Sequence, residues 1–140
     1  MEDFNKYPGA PSVNKHLVKK NKPFKLNNIE VIPIEVMHHN LTVLGYRFGN
    51  FAYLTDVKTI PNEELNKLKN IDVLVLSALR IEPHPSHLNL EEALSLVALI
   101  NPKKTYFTHI SHLLGFHDEV ESILPKNVHL AYDTLQITSN

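Results

Sequence analysis

A chain of 140 residues with 43% apolar and 21% charged side chains has the composition of one compact globular domain, which excludes a disordered segment. A net charge of -1 and a single short basic cluster between Lys15 and Lys25 leave no electrostatic footprint for nucleic acid or an anionic membrane. The absence of cysteine rules out disulfides and thiolate metal sites, so any metal must be held by His, Asp or Glu.

No apolar run approaches the roughly 20 residues that span a bilayer, and the acidic, Pro-containing stretch from Met1 to Pro11 has no signal-peptide pattern. A soluble chain in a reducing cytoplasm is the expectation. Residues 1–28 lack periodicity, and Tyr7-Pro8-Gly9-Ala10-Pro11 reads as a turn, so this part is expected to be a connecting segment. Ile29 to Val36, Val43 to Phe48 and Phe51 to Leu54 are short runs rich in β-branched and aromatic residues, and Gly49-Asn50 marks a hairpin between the last two.

Pro61 to Lys69 is predicted to be a short helix, with Pro in its first turn and Glu63 and Glu64 near its positive end. Ile71 to Leu79, almost wholly apolar, is predicted to be a strand covered on both faces. Asn89 with Glu92 forms a capping-box pattern, and Leu90, Ala93, Leu94, Val97 and Ala98 share one face of the helix that follows, which Asn101-Pro102 ends. Lys104 to His109 is a further strand, Gly115 to Leu124 a further helix, and Val128 to Ala131 with Leu135 to Thr138 closing strands. The alternation points to α/β layering with a mixed (α+β) sheet. No glycine-rich loop opens a helix, which argues against a Rossmann or P-loop protein.

Histidine is the compositional outlier, at nine residues. His38 and His39 follow the Ile29 strand, Asp56 follows the third strand, His84 and His87 follow the Ile71 strand, and His109 and His112 follow the Lys104 strand. Strand ends converge on one edge in layered α/β folds. Imidazoles and a carboxylate gathered there suit Zn²⁺, Mn²⁺ or Fe²⁺.

The words Glu35-Val36-Met37-His38-His39, Gly45-Tyr46-Arg47-Phe48, Tyr53-Leu54-Thr55-Asp56 and Phe107-Thr108-His109-Ile110-Ser111-His112, in that order, resemble the later motifs of the metallo-β-lactamase superfamily. The resemblance covers about residues 29–138. It is nearest to phosphoribosyl cyclic phosphodiesterases, with tRNA 3′-processing endonucleases more distant. It implies residues 29–140 as the second half of an αββα sandwich, incomplete in this chain, and a metal-dependent hydrolase of phosphodiester-like substrates using two Zn or Mn ions. Within it His39 would bind the first metal, Asp56 would bridge both and His109 would bind the second. His38 is the near alternative to His39, because Gly45 lies at the family-like distance from His39. His87 would stand near the scissile phosphate as the catalytic residue, steadying charge or protonating the leaving oxygen. His84, His112 and Asp133 are weaker supporting residues, whereas His16, His117 and His129 are expected to be structural or solvent-exposed.

The superfamily's first signature, His-x-His-x-Asp-His, occurs nowhere in the 140 residues. The expectation is therefore weak metal binding and little hydrolysis by the chain alone. A complementary N-terminal half, or self-association, would be needed to cover the sheet. The alternative is a catalytically inactive association module. Nucleic acid and membranes are not expected as partners.

Overall fold

A computed structural model describes residues 13–138, so the turn expected at Tyr7 to Pro11 lies outside the described residues. Seven strands form one sheet in simple sequence order. β1 (Phe24–Leu26), β2 (Ile29–His38), β3 (Leu41–Phe48) and β4 (Phe51–Leu54) are antiparallel neighbours; β4, β5 (Val73–Ser77), β6 (Lys104–Thr108) and β7 (Val128–Leu130) are parallel. The mixed sheet anticipated from the sequence is present. A strand also lies at Phe24–Leu26, inside the segment expected to be irregular, where it is the edge partner of β2.

Each parallel connection runs through a helix. α1 (Asn62–Leu65) continues as a 3-10 turn to Leu68, α2 spans Leu90–Ile100, and α3 spans His117–Ile123 after a 3-10 turn at His112–Leu114. α2 begins as its sequence dictates: the Asn89 side chain accepts from the Glu92 amide at 2.9 Å, and the Glu92 carboxylate accepts from the Asn89 amide at 3.0 Å. It ends at Asn101 in the left-handed region, followed by Pro102. The strand expected at Leu135 to Thr138 does not form. Leu135 donates instead to the Tyr132 carbonyl, closing a turn through Thr134 at φ 71°, and the chain leaves the sheet.

The two sheet faces differ. Along one face the register aligns Ile34, Gly45, Leu54, Leu76, Phe107 and Leu130, and apart from the glycine these join one core with Leu90, Ala93 and Val97 of α2, Val120 of α3 and Leu68. The core row runs past Gly45 because nothing larger fits: a Cβ there would strike the Leu54 side chain and lie 3.0 Å from the Tyr53 carbonyl oxygen. The opposite face carries Phe24, Tyr46, Phe48, Phe51, Tyr53, Tyr106 and His129. The buried apolar residues of the helices in the described part all belong to the first core, and Tyr53 on the second face stays 42% exposed.

Candidate metal centre

β2 runs in the same direction as β4, because each is antiparallel to β3. The C-terminal ends of β2, β4, β5 and β6 therefore share one edge. Period-two alternation carries the core-facing side of β2 from Ile34 and Val36 to His38, that of β4 from Ala52 and Leu54 to Asp56, and that of β6 from Thr105 and Phe107 to His109. Asp56 and His109 themselves adopt positive φ, at 58° and 57°. That left-handed geometry is uncommon outside glycine and, at strand ends, re-aims the side chain across the edge.

Backbone bonds tie the four segments together. Beyond Asp56 the chain turns back onto β2, with Lys58 donating to the Met37 carbonyl at 2.7 Å and Met37 to the Thr59 carbonyl at 2.8 Å. Leu88, next to His87, donates to the Val57 carbonyl at 2.8 Å, and Ser111, two residues past His109, donates to the Leu79 carbonyl at 2.9 Å.

His87 is the hub of the side chains. Its Nε2 lies 3.2 Å from His38 Nε2, and its ring centroid lies 4.6 Å from that of His38, 4.9 Å from that of His109 and 5.0 Å from that of His84. His109 Nε2 stands 3.4 Å from Asp56 Oδ1, and His87 Nδ1 stands 3.8 Å from the same oxygen. Burial pushes the His87 pKa down, aided by the nearby His109, His38 and His84 and opposed by Asp56.

His38, Asp56 and His87 each offer one ligand atom, all within 4.8 Å of one another. His87 Nδ1 is buried without a hydrogen-bond partner, an arrangement that costs free energy unless something else occupies its lone pair or proton. Two imidazoles and a carboxylate form a donor set suited to a divalent transition metal, so the residues fit the cation that the sequence resemblance implies.

The edge thus brings together Asp56, His87 and His109 with His38, the near alternative to His39, and His84, one of the weaker supporting residues. His39 sits in the β2–β3 turn at φ 54°, exposed and outside the three-residue group. The signal favouring His38 was the alternation of β2, which places it in phase with Ile34 and Val36. His112 is exposed, and Asp133 lines a cavity of about 300 Å³ with Thr108, His109 and Tyr132. Of the histidines expected to be structural or exposed, His16 is exposed, His129 bonds Glu121 at 2.9 Å, and His117 packs edge-on to Tyr132 with centroids 6.3 Å apart.

A mixed sheet with helices on one side and a His/Asp cluster at the strand ends is the architecture of the metallo-β-lactamase fold. The profile of the beta-lactamase superfamily domain matches residues 2–110, and the chain belongs to that family. It is 38% identical over 133 residues to an octanoyltransferase of Porphyromonas gingivalis, a match covering 94% of this chain and 27% of that protein. Among solved structures it superposes on a diphosphatase of the PhnP family with a TM-score of 0.84 and 39% identity, over 87% of this chain and 48% of that one. The short form of human tRNase Z, at 18% identity and a TM-score of 0.63 over 82% of this chain and 44% of its own, shares the fold. The chain therefore spans about half the length of the diphosphatase and about a quarter of the octanoyltransferase.

Proposed function

We propose that this chain provides one side of the active centre of a metal-dependent hydrolase acting on phosphodiester or phosphoanhydride bonds. The observation that carries this reading is the convergence of His38, Asp56, His87 and His109 at one sheet edge, with three of them offering ligand atoms within 4.8 Å. The diphosphatase likeness at 39% identity supports the phosphate chemistry. His38 would take the role the sequence resemblance gave to His39, Asp56 would be shared between the two cations, and His109 would hold the second. A bound Zn²⁺ or Mn²⁺ supplies Lewis-acid polarisation and lowers the pKa of water. His87, central and largely buried, would hold its N–H toward the leaving oxygen, and burial pushes its pKa down.

With His87 kept for the proton, the chain alone would offer His38 and Asp56 to one cation and Asp56 and His109 to the other. We expect weak cation uptake and little turnover. The missing ligands belong on a segment bearing His-x-His-x-Asp-His, which would lie over the aromatic face of the sheet. The test adds such a segment to the purified chain and follows hydrolysis of bis(p-nitrophenyl) phosphate with Mn²⁺ or Zn²⁺. Metal-dependent turnover lost in Asp56→Ala supports the proposal. A stable complex that stays inactive with every metal supports an association module instead, a reading favoured by an aromatic face over which no helix of the described residues lies.

A further inference from the structure

The loop from Leu79 to Leu88 has no regular secondary structure, yet it is held as tightly as a strand. Five consecutive carbonyls, those of Leu79, Arg80, Ile81, Glu82 and Pro83, each accept a hydrogen bond: from Ser111, from the Leu90 amide, from the Asn89 side chain, and, for the last two, from the Arg80 guanidinium at 3.1 and 2.6 Å. Leu79 and Leu88 close the loop by an amide-to-carbonyl bond of 2.9 Å. Such a loop is preorganised, and the next residues it presents are His84 and His87.

Within it the Ser86 amide donates to His84 Nδ1 at 3.1 Å. A neutral imidazole that accepts at Nδ1 must carry its proton at Nε2. Burial, Arg80, Lys58 and His38 all push the His84 pKa below the ordinary imidazole value. His84 is therefore a fixed N–H donor, its ring 5.0 Å from that of His87, and Nε2 has no protein acceptor among the described residues. The two neighbouring cations are committed elsewhere: Lys58 Nζ bonds both Glu92 oxygens at 2.6 and 2.8 Å, and Arg80 spends Nε and one terminal nitrogen on the loop carbonyls.

We propose that His84 is a substrate-binding residue whose Nε2–H donates to a non-bridging oxygen of the phosphate group at this centre, an inference that rests on the phosphohydrolase reading above. The division of labour follows from the geometry. His87, against Asp56 and His38, serves the reacting atoms, whereas His84, pinned by a backbone amide, orients the anion. A preorganised donor costs no reorganisation when the anion arrives.

The test uses the full chain labelled with ¹⁵N-histidine and inorganic pyrophosphate as the probe, without added metal. Long-range ¹H–¹⁵N spectra should show His84 protonated at Nε2, and saturable shifts at His84 and His87 as pyrophosphate is added. Loss of a hydrogen bond to a charged acceptor should weaken pyrophosphate binding about tenfold in His84→Phe. His84→Gln, whose amide nitrogen retains a donor at a similar reach, should stay within about threefold of the parent. A His84 protonated at Nδ1, no shift on titration, or equal affinity in the parent and His84→Phe would each overturn the inference. Metal-dependent turnover with an unaltered pyrophosphate affinity in His84→Phe would overturn the role of His84 and leave the hydrolase reading intact. Pyrophosphate binding that needs His84, in a chain that never yields a metal-dependent hydrolase, would do the reverse.

Discussion

His38 and His39 are neighbours in sequence with opposite environments. His38 ends β2 with its ring against His87, while His39 turns outward at φ 54°. If His38 is the ligand, His38→Ala should lower zinc affinity at least about tenfold, since a lost ligand leaves an incomplete donor set. His39→Asn, chosen because Asn tolerates the left-handed region, should leave it unchanged. Zinc-induced shifts of the histidine ring resonances measure both, and the opposite ranking would return the ligand role to His39. Thr134 offers a second residue-scale check. A β-branched residue at φ 71° is strained, and it is exposed, so Thr134→Gly should raise the melting temperature by the equivalent of about 1 kcal/mol. The His38/His39 pair also shows where spacing arguments stop. Counting back from Gly45 selects one histidine, but strand phase decides which side chain reaches the edge, and phase depends on where β2 begins and how far it runs.

At the scale of elements, the local signals were the legible ones. The Gly49-Asn50 hairpin and the capping box of α2 form as read, because each is decided by a few adjacent residues. β1 was not legible: three residues with a lysine in the middle carry no periodicity, and only pairing with Ile29 to Val31 makes them a strand. Asn89 does more than cap α2, since its side-chain nitrogen also holds the Ile81 carbonyl at 3.0 Å. Asn89→Ala should therefore cost at least the roughly 0.5–2 kcal/mol of a lost cap, measured by urea unfolding, and loosen the loop that carries His84 and His87. Acid should act through two carboxylates. Burial raises the pKa of Glu92, but the Lys58 and Asn89 bonds outweigh it; burial does the same to Glu121, where bonds from the Leu130 amide and His129 prevail. Both pKa values are lowered in the folded chain, so the native state binds fewer protons than the unfolded one below the ordinary value of 4.5. The stability these groups add is complete above that pH and is lost as pH falls through the folded values. Glu121→Gln should flatten the acid limb of a stability-against-pH curve, and an unchanged slope would show that the β7–α3 contact does not carry it.

For the whole molecule the governing fact is the asymmetry of the sheet. One face is sealed by α1, α2 and α3, whereas the other presents Tyr46, Phe48, Phe51, Tyr53 and Tyr106 across successive strands with no helix of the described residues over them. Alternation within each strand was readable from the sequence, but which face lacks a cover depends on the placement of the helices, a long-range outcome. The chain spans 48% of the diphosphatase it superposes on, so that protein has a comparable length of chain beyond the shared part. We expect an added His-x-His-x-Asp-His segment to dock on this aromatic face, since burying aromatic rings contributes favourable free energy to association. Tyr53, 42% exposed near the middle of the face, is the place to probe. Tyr53→Lys puts a charge where the partner must exclude water, and should weaken association at least about tenfold, while leaving the melting temperature of the free chain within a few degrees because the residue is not in the core. Isothermal titration of parent and variant decides it: equal affinities would place the added segment elsewhere, and with it the missing ligands of the metal centre.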